Sequence, residues 1–173
     1  MNGKIIIAPL FVAALTACAA SGPENPAAAE NGDEPVFTAV SGEDLREVLL
    51  DAGHRVELGV DHVGAPMIGS ASSGLDYQVL FYDCAEDGRC GSLLFRAGLA
   101  SEDPPAREAV NNWNRAMRLS RAYITADGEA VVEMDLLIAG GVTRSLLAEA
   151  VKRWNAMLPL FADHLSESME EPS

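Results

Sequence analysis

The feature of this sequence that most constrains its fold is a repeated change in the spacing of its apolar residues. In residues 75–84 they recur at every second position, which is typical of a half-buried strand. These residues are Leu75, Tyr77, Val79 and Phe81. After residue 143 the spacing lengthens to three and four positions, which predicts a helix with one apolar stripe. A chain that alternates in this way has to bury helix stripes against a sheet.

Nine segments follow from this spacing, in the order α-β-β-β-β-α-β-β-α. Ser41 and Asp44 resemble a capping box for the first helix, and Gly53 is typical of its end. Pro104 and Pro105 are expected to open the second helix, because proline is tolerated in the first turn. In chain order, the predicted segments are a helix at 42–52, strands at 54–60, 65–71, 75–84 and 91–99, a helix after 105, strands at 121–125 and 130–138, and a long helix after 143.

The loops between the predicted strands are short enough for hairpins, so the strands should form an antiparallel sheet. The helices should cover one face of that sheet, because each of them has a single apolar stripe. The stripe of the last helix extends to Leu165, and Pro159 is expected to kink its final turns. The predicted fold class is therefore α+β, an antiparallel sheet with helices packed on one face.

The first residues have the parts of an export signal. Lys4 provides a positive region, residues 5–17 form an uncharged apolar run ending in small residues, and Cys18 follows directly. The run is too short to span a bilayer, which takes about twenty apolar positions. Its end resembles a lipobox, so we expect residues 1–17 to be removed and Cys18 to carry a lipid anchor. The alternative is an ordinary signal peptide cleaved near Ala19.

The lipobox interpretation makes the protein a lipoprotein of the cell envelope. Ala19 is not the aspartate associated with inner-membrane retention, which favours the periplasmic face of the outer membrane. Residues 18–40 carry three prolines and an alanine run, so they are predicted to form a disordered tether. Residues 166–173 are predicted to form a disordered acidic tail. The predicted folded domain covers residues 41–165.

Of the three cysteines, lipid on Cys18 leaves Cys84 and Cys90 as a pair. They flank an Asp-Gly turn between two predicted strands, so they should face each other at a distance that a disulfide can span. We expect a structural bridge, because an oxidising compartment favours it. The alternatives are weaker: a redox-active pair usually has two residues between its cysteines, and a metal site needs further ligands.

The composition is strongly acidic. The 26 Asp and Glu residues against 12 Lys and Arg give a formal net charge of −14 at pH 7. A surface with this charge repels phosphate backbones. Nucleic acid is therefore not an expected partner.

Five short motifs, in their order and spacing, resemble the YbjN-domain family over about residues 42–165. The motifs are FYDC (81–84), CGSL (90–93), NNWNR (111–115), RAY (121–123) and GGVT (140–143). The resemblance implies a fold similar to that of type III secretion chaperones, often as homodimers. Members of the family are labelled bacterial sensory transduction regulators, and no catalytic residues come with the resemblance.

One polar cluster lies on the predicted second helix and the strand after it. Trp113 is expected in the core. The polar residues near it would either hold the neighbouring hairpin by hydrogen bonds or offer guanidinium groups to an acidic partner. The partner-binding candidates are Asn111, Asn114, Arg115, Arg118, Arg121 and Tyr123.

No set of catalytic residues stands out in the sequence. Asp61 and His62 are candidate metal ligands, but a solvated turn explains them as well. Glu133 and Asp135 have the spacing of an acid/base pair, but we expect them to be the solvated face of a strand. A nucleophile elbow is missing around the candidate serines, which are Ser70, Ser72 and Ser73.

These observations favour a non-enzymatic module of the cell envelope, without a cofactor, that acts by binding an envelope protein or a peptide segment. Such a module would be regulatory or chaperone-like, and a homodimer is a second expected partnership. The alternatives are a metal-dependent hydrolase that uses Asp61 and His62, and a purely structural lipoprotein.

Overall fold

The computed structural model describes residues 34–100 and 105–170, and at residue 170 the backbone alone. The predicted export signal, Cys18 and most of the predicted tether lie outside these residues. In chain order, the helices and strands are β1 (Val36–Phe37), α1 (Gly42–Asp51), β2 (Glu57–Val60), β3 (Pro66–Ser72), β4 (Leu75–Cys84), β5 (Cys90–Leu99), α2 (Arg107–Ala116), β6 (Arg121–Ile124), β7 (Ala130–Leu137), β8 (Val142–Thr143) and α3 (Arg144–Glu170).

The longer strands form a six-stranded antiparallel sheet in the order β2-β3-β4-β5-β7-β6, and β1 pairs with β8 in a small separate sheet. All nine predicted segments are present, and the predicted α+β class is confirmed. The sequence did not reveal β1 and β8, because a strand of two residues has no periodicity to recognise.

The core lies between one face of the sheet and the helices. Trp154 of α3 is fully buried, and its ring lies 5.7 Å from the rings of Tyr77 and Phe95, measured between centroids. On α2, Trp113 is also buried and contacts Phe161 at 4.9 Å between ring centroids. Each such side chain contributes about 1.5–3 kcal/mol by leaving water, so these contacts hold the helices to the sheet.

The capping box predicted for α1 is confirmed. The Asp44 backbone N–H donates to the Ser41 hydroxyl at 3.2 Å, and the Ser41 backbone N–H donates to the Asp44 carboxylate at 2.7 Å. Among the described residues, no helix is both long enough and apolar enough to cross a membrane.

The last part of the predicted tether is ordered, which corrects the boundary at residue 40. Val40 exchanges two backbone hydrogen bonds with Cys90, at 2.8 and 3.0 Å. The Glu34 carboxylate accepts hydrogen bonds from both the backbone N–H and the hydroxyl of Ser145. These contacts are made by the backbone and by residues distant in sequence, so local composition did not predict them.

The predicted disordered tail at 166–173 begins too early. Helix α3 continues to Glu170, with Pro159 inside it. The Ser166 hydroxyl donates to the carbonyl of Ala162 at 3.0 Å, in the manner of a helical serine. The acidic composition of this segment is therefore compatible with a helix, and only residues 171–173 lie beyond the described part.

The Cys84–Cys90 disulfide is present in the structure and joins the ends of β4 and β5. Their α-carbons are 3.9 Å apart. The loop between them also holds the start of the domain, because the Arg89 side chain donates to the carbonyl of Ala39 at 2.7 Å and pairs with Asp44 at 3.2 Å.

Candidate functional site

The two edges of the six-stranded sheet differ. At the β6 edge, the side chain of Asn114 reaches over from α2 and bonds both backbone groups of Ala122. The Ala122 N–H donates to Asn114 Oδ1 at 2.7 Å, and Asn114 Nδ2 donates to the Ala122 carbonyl at 2.9 Å. The amide therefore takes the place that a further strand would have.

At the other edge of the sheet, β2 pairs with β3 on one side only, within the part of the chain that the structure describes. In an antiparallel ladder, hydrogen-bonded and non-hydrogen-bonded residue pairs alternate. The Asp61 N–H donates to the Ala65 carbonyl at 2.8 Å, so this pair, just beyond the paired ends of β2 and β3, is hydrogen-bonded and the next pair is not. Leu58 and Val60 are then in non-bonded pairs, and Val60 lies opposite Pro66, which has no N–H. The backbone N–H and C=O groups of Leu58 and Val60 therefore point away from the sheet. We call this strand border the β2 edge.

The side chains at the β2 edge extend the apolar face of the sheet past its last strand. Leu58 pairs with Ile68, which is fully buried in the core, so the two side chains are on the same face. Leu58 is nevertheless 48% exposed and Val60 is 67% exposed. Exposed apolar side chains beside unpaired backbone groups are what an added strand would cover.

The opposite face of the sheet carries a polar row that crosses all six strands. In register, the row runs through Glu57, Gly69, Gln78, Arg96, Glu133 and Arg121. A groove of about 350 Å³ lies over the part of this row from Glu57 to Arg96, and Gly69 in its lining has no side chain to fill it. Within the described residues, Glu57 makes no hydrogen bond and no ion pair, so its carboxylate is available at the start of the row.

Glu133 in the polar row is only 4% exposed, so the prediction that it belongs to the solvated face is wrong. Its carboxylate lies 2.8 Å from Arg121 Nε and 3.5 Å from Arg96 Nε, and it accepts a hydrogen bond from the Tyr123 hydroxyl at 2.9 Å. Asp135 is exposed, as predicted. The difference arises because two arginines from neighbouring strands cover Glu133, which its own strand could not reveal.

The two arginines beside Glu133 stay charged. For Arg96, burial alone would lower the pKa, but the Tyr123 hydroxyl and the carboxylates of Glu129 and Glu133 outweigh burial and raise it. For Arg121, the hydrogen bond to Glu133 raises the pKa. This cluster is internally paired, and its geometry is that of a structural network across β5, β6 and β7.

The predicted partner-binding candidates are not brought together into one site. Arg121 and Tyr123 bond Glu133 on the polar face, while Asn114 bonds the backbone of β6. The Arg115 side chain donates to Asn112 on its own helix. The binding role of these residues stays a prediction.

Three of the candidates line a groove of about 400 Å³ between α2 and β6, namely Asn111, Asn114 and Tyr123. Arg107 also lines this groove and was not identified from the sequence. Arg118 is exposed and makes no hydrogen bond or ion pair with the described part of the chain.

The candidate catalytic residues have structural partners. Asp61 accepts hydrogen bonds from the backbone N–H groups of Val63 and Ala65, both at 2.9 Å, so it stabilises the turn after β2. Across the ranges 34–100 and 105–169, no group of three or more His, Cys, Asp and Glu side chains is arranged to hold a metal ion. The Ser70 hydroxyl is buried and donates to the Arg55 carbonyl at 2.9 Å.

The β2 edge was not predicted from the sequence, although the position of its strand in the chain was an indication. The strand at 57–60 comes first in a meander, so a second neighbour would have to come from elsewhere in the chain. Strand order cannot be read from spacing, since β7 and not β6 lies beside β5. The open edge became visible only when the whole sheet was assembled.

Residues 41–167 match the family YbjN, described as "Putative bacterial sensory transduction regulator". No curated protein sequence matches the chain. Among solved structures, the Yersinia pestis type III secretion chaperone SycH, in complex with a stable fragment of YscM2, is similar at 10% identity over 70% of this chain and 96% of that chain, with a TM-score of 0.45.

Proposed function

The chain belongs to the YbjN family, and we propose that it is a protein-binding module that receives an extended segment of a partner along the β2 edge. The observation that carries the proposal is the contrast between the two ends of the sheet. Asn114 bonds the outward backbone groups of Ala122 in β6, whereas those of Leu58 and Val60 point outward beside exposed apolar side chains. An added strand gains its affinity from main-chain hydrogen bonds and its specificity from alternate side chains.

We further propose that this module works in the cell envelope, attached to a membrane through lipid on Cys18. The apolar leader that ends at Cys18 supports the anchor. The Cys84–Cys90 disulfide supports an oxidising compartment, since such bonds persist mainly in exported proteins. The anchor would hold the β2 edge near partners that share the same membrane.

The proposed action is binding without catalysis. Asp61 is committed to a turn and Glu133 to two arginines, so neither is poised for proton transfer or for holding a metal. These contacts stand against the metal-dependent hydrolase. The exposure of Leu58 and Val60 at an unpaired edge favours binding over a purely structural role.

Photocrosslinking in intact cells tests the binding proposal. A photoreactive amino acid is placed at Val60 or, as a matched control, at Leu160, an exposed apolar position on α3. We expect a discrete crosslinked adduct from position 60 and none from position 160. A third probe at Asn111 tests the groove between α2 and β6, and an adduct from position 111 without one from 60 would refute the β2 edge.

A backbone variant separates strand addition from ordinary side-chain contact. Val60→Pro removes an N–H that points outward and leaves the ladder with β3 intact, because the pair of Val60 and Pro66 is not hydrogen-bonded. Val60→Ala trims the side chain but keeps the N–H. Each variant carries its photoreactive amino acid at position 58 in place of Leu58. We expect the proline variant to lose the crosslinked adduct and the alanine variant to keep it.

Metabolic labelling with a fatty-acid probe tests the anchor separately. The wild-type protein should be labelled and should sediment with membranes, whereas Cys18→Ser should lose both properties. An unlabelled wild-type protein would contradict the anchor without affecting the β2 edge.

A further inference from the structure

We propose that the partner segment carries a basic residue opposite Glu57 and aliphatic residues opposite Leu58 and Val60. This inference rests on the proposed function, because it takes the β2 edge as the binding site. If the partner strand is antiparallel to β2, four consecutive residues of the partner, from its N-terminus, would be an aliphatic residue, any residue, an aliphatic residue and a basic residue. The first aliphatic residue would lie opposite Val60 and the basic residue opposite Glu57.

The aliphatic positions follow from the face on which Leu58 and Val60 lie. Their side chains extend the same face as Ile68, which belongs to the core, and both remain largely exposed. Partner residues opposite them would form hydrogen-bonded pairs, with side chains on that apolar face. Aliphatic side chains there would bury the exposed surface of both residues.

The basic position follows from the pairing geometry at Glu57. A partner residue opposite Glu57 would be in a non-bonded pair, in which facing side chains lie closest together. Its side chain would share the polar face of the sheet with the Glu57 carboxylate. Opposite charges in directly facing positions attract, and like charges repel.

The neighbours of Glu57 leave its charge uncompensated. Arg55 Nη2 lies 2.8 Å from Asp76, so this arginine is already paired. Arg96 is shared between Glu129 and Glu133, at 3.9 and 3.5 Å. With a formal net charge of −14, the molecule as a whole also attracts a basic segment.

A second copy of this chain fits the β2 edge less well than a basic partner. In the two-fold register that pairs Leu58 with Val60 of the second copy, Glu57 would face Asp61 of that copy. In the register that pairs Leu58 with itself, Glu57 would face Gly59. Neither register supplies a cation, and two copies repel each other through their net charge.

Three synthetic peptides test this selectivity on the full-length mature protein in detergent. They share the sequence acetyl-Thr-Thr-Val-Thr-Val-Xaa-Thr-Thr-amide, in which Xaa is Lys, Gln or Glu, and each carries a fluorophore for anisotropy titration. We expect affinity to fall in the order Lys, Gln, Glu, by about threefold at each step at low salt, as for a surface ion pair. Added salt should reduce the differences.

Two substitutions at Glu57 identify the residue responsible. Glu57→Gln should reduce the threefold steps to the small preference for lysine that the net charge of the molecule retains, and Glu57→Lys should reverse the order. Glu108→Gln is the matched control, since this exposed carboxylate on α2 removes the same charge without touching the partners of Glu57, and the order should persist.

The possible failures are distinguishable. Equal binding of all three peptides to the wild type would overturn the charge selectivity and leave the β2 edge standing. Binding of none of them would overturn both claims. Self-association that is abolished by Val60→Pro, without peptide binding, would assign the edge to a second copy and overturn the basic partner.

Discussion

The amide of Asn114 donates one hydrogen bond and accepts another, and both go to the backbone of Ala122. A single side chain thereby satisfies the outward backbone groups of Ala122, in the middle of this edge strand. Glu133 acts similarly on the polar face, where one carboxylate joins Arg96, Arg121 and Tyr123. At the scale of residues, the polar groups singled out from the sequence hold the β6 side of the sheet together.

Replacing Asn114 tests this role. Asn114→Ala removes both bonds to Ala122, so we expect the free energy of unfolding to fall by about 1–2 kcal/mol. Urea denaturation measures the change. Asn111→Ala is the matched control, because Asn111 lies on the same helix without a hydrogen bond to the described residues, and it should change stability by less than about 0.5 kcal/mol. Equal effects of the two substitutions would contradict the role of Asn114.

Asp44 gives the stability of α1 a dependence on pH. Burial alone would raise its pKa, but hydrogen bonds from Ser41 and the charge of Arg89 outweigh it and lower the pKa below the ordinary value of 3.8. The stabilisation is therefore present above pH 3.8 and is lost as the pH falls through the lower pKa of the folded state. We expect Asp44→Asn to cost about 1 kcal/mol at neutral pH.

Urea denaturation from pH 7 downward checks the Asp44 prediction. The difference between the wild type and Asp44→Asn should shrink below pH 3.8. Glu43→Gln in the same turn is the control, since among the described residues Glu43 pairs only with Arg46. A difference that stays constant into strong acid would show that the charge of Asp44 does not stabilise the helix.

Among the elements, the hairpin of β4 and β5 connects the sheet to the start of the domain. Its disulfide closes one end, Val40 pairs with Cys90, and Arg89 bonds Ala39. Residues 34–40 therefore enter the fold against the same hairpin that the disulfide closes. The contact of Glu34 with Ser145 adds a second attachment, at the start of α3.

Reduction of the disulfide measures what this closure contributes. Opening so short a loop should lower the free energy of unfolding by about 2 kcal/mol. Thermal unfolding with and without a thiol reductant gives the change, and the double variant Cys84→Ala, Cys90→Ala should not respond to the reductant. Free thiols at both positions in the non-reduced protein would contradict the bridge.

For the whole molecule, spacing predicted the segments and the fold class, because the burial of each stripe depends on local sequence. The apolar face of β4 and the stripe of α3 are examples, with Phe81 and Trp154 both fully buried. Spacing could not predict the order of strands, the pairing of Val40 with Cys90 or the burial of Glu133. Each of these depends on residues that meet only after folding.

The candidate site illustrates the same limit. Asn114 is recognisable in the sequence as a polar residue beside a tryptophan. Its partner could not be predicted, because Asn114 bonds the backbone of Ala122 and not a polar side chain. Leu58 and Val60 look like ordinary strand residues, and their significance comes from the absence of a neighbour beyond β2 among the described residues. An open edge is a property of the assembled sheet.

Hydrogen exchange resolved at single amides tests the β2 edge most directly. The full chain is measured by NMR, alone and with the lysine peptide in excess. The account predicts that the amides of Leu58 and Val60 become protected, while those of Glu57 and Gly59, already bonded to β3, change little. Unchanged exchange at Leu58 and Val60 in the presence of bound peptide, or new protection in the groove around Asn111 and Tyr123, would contradict it.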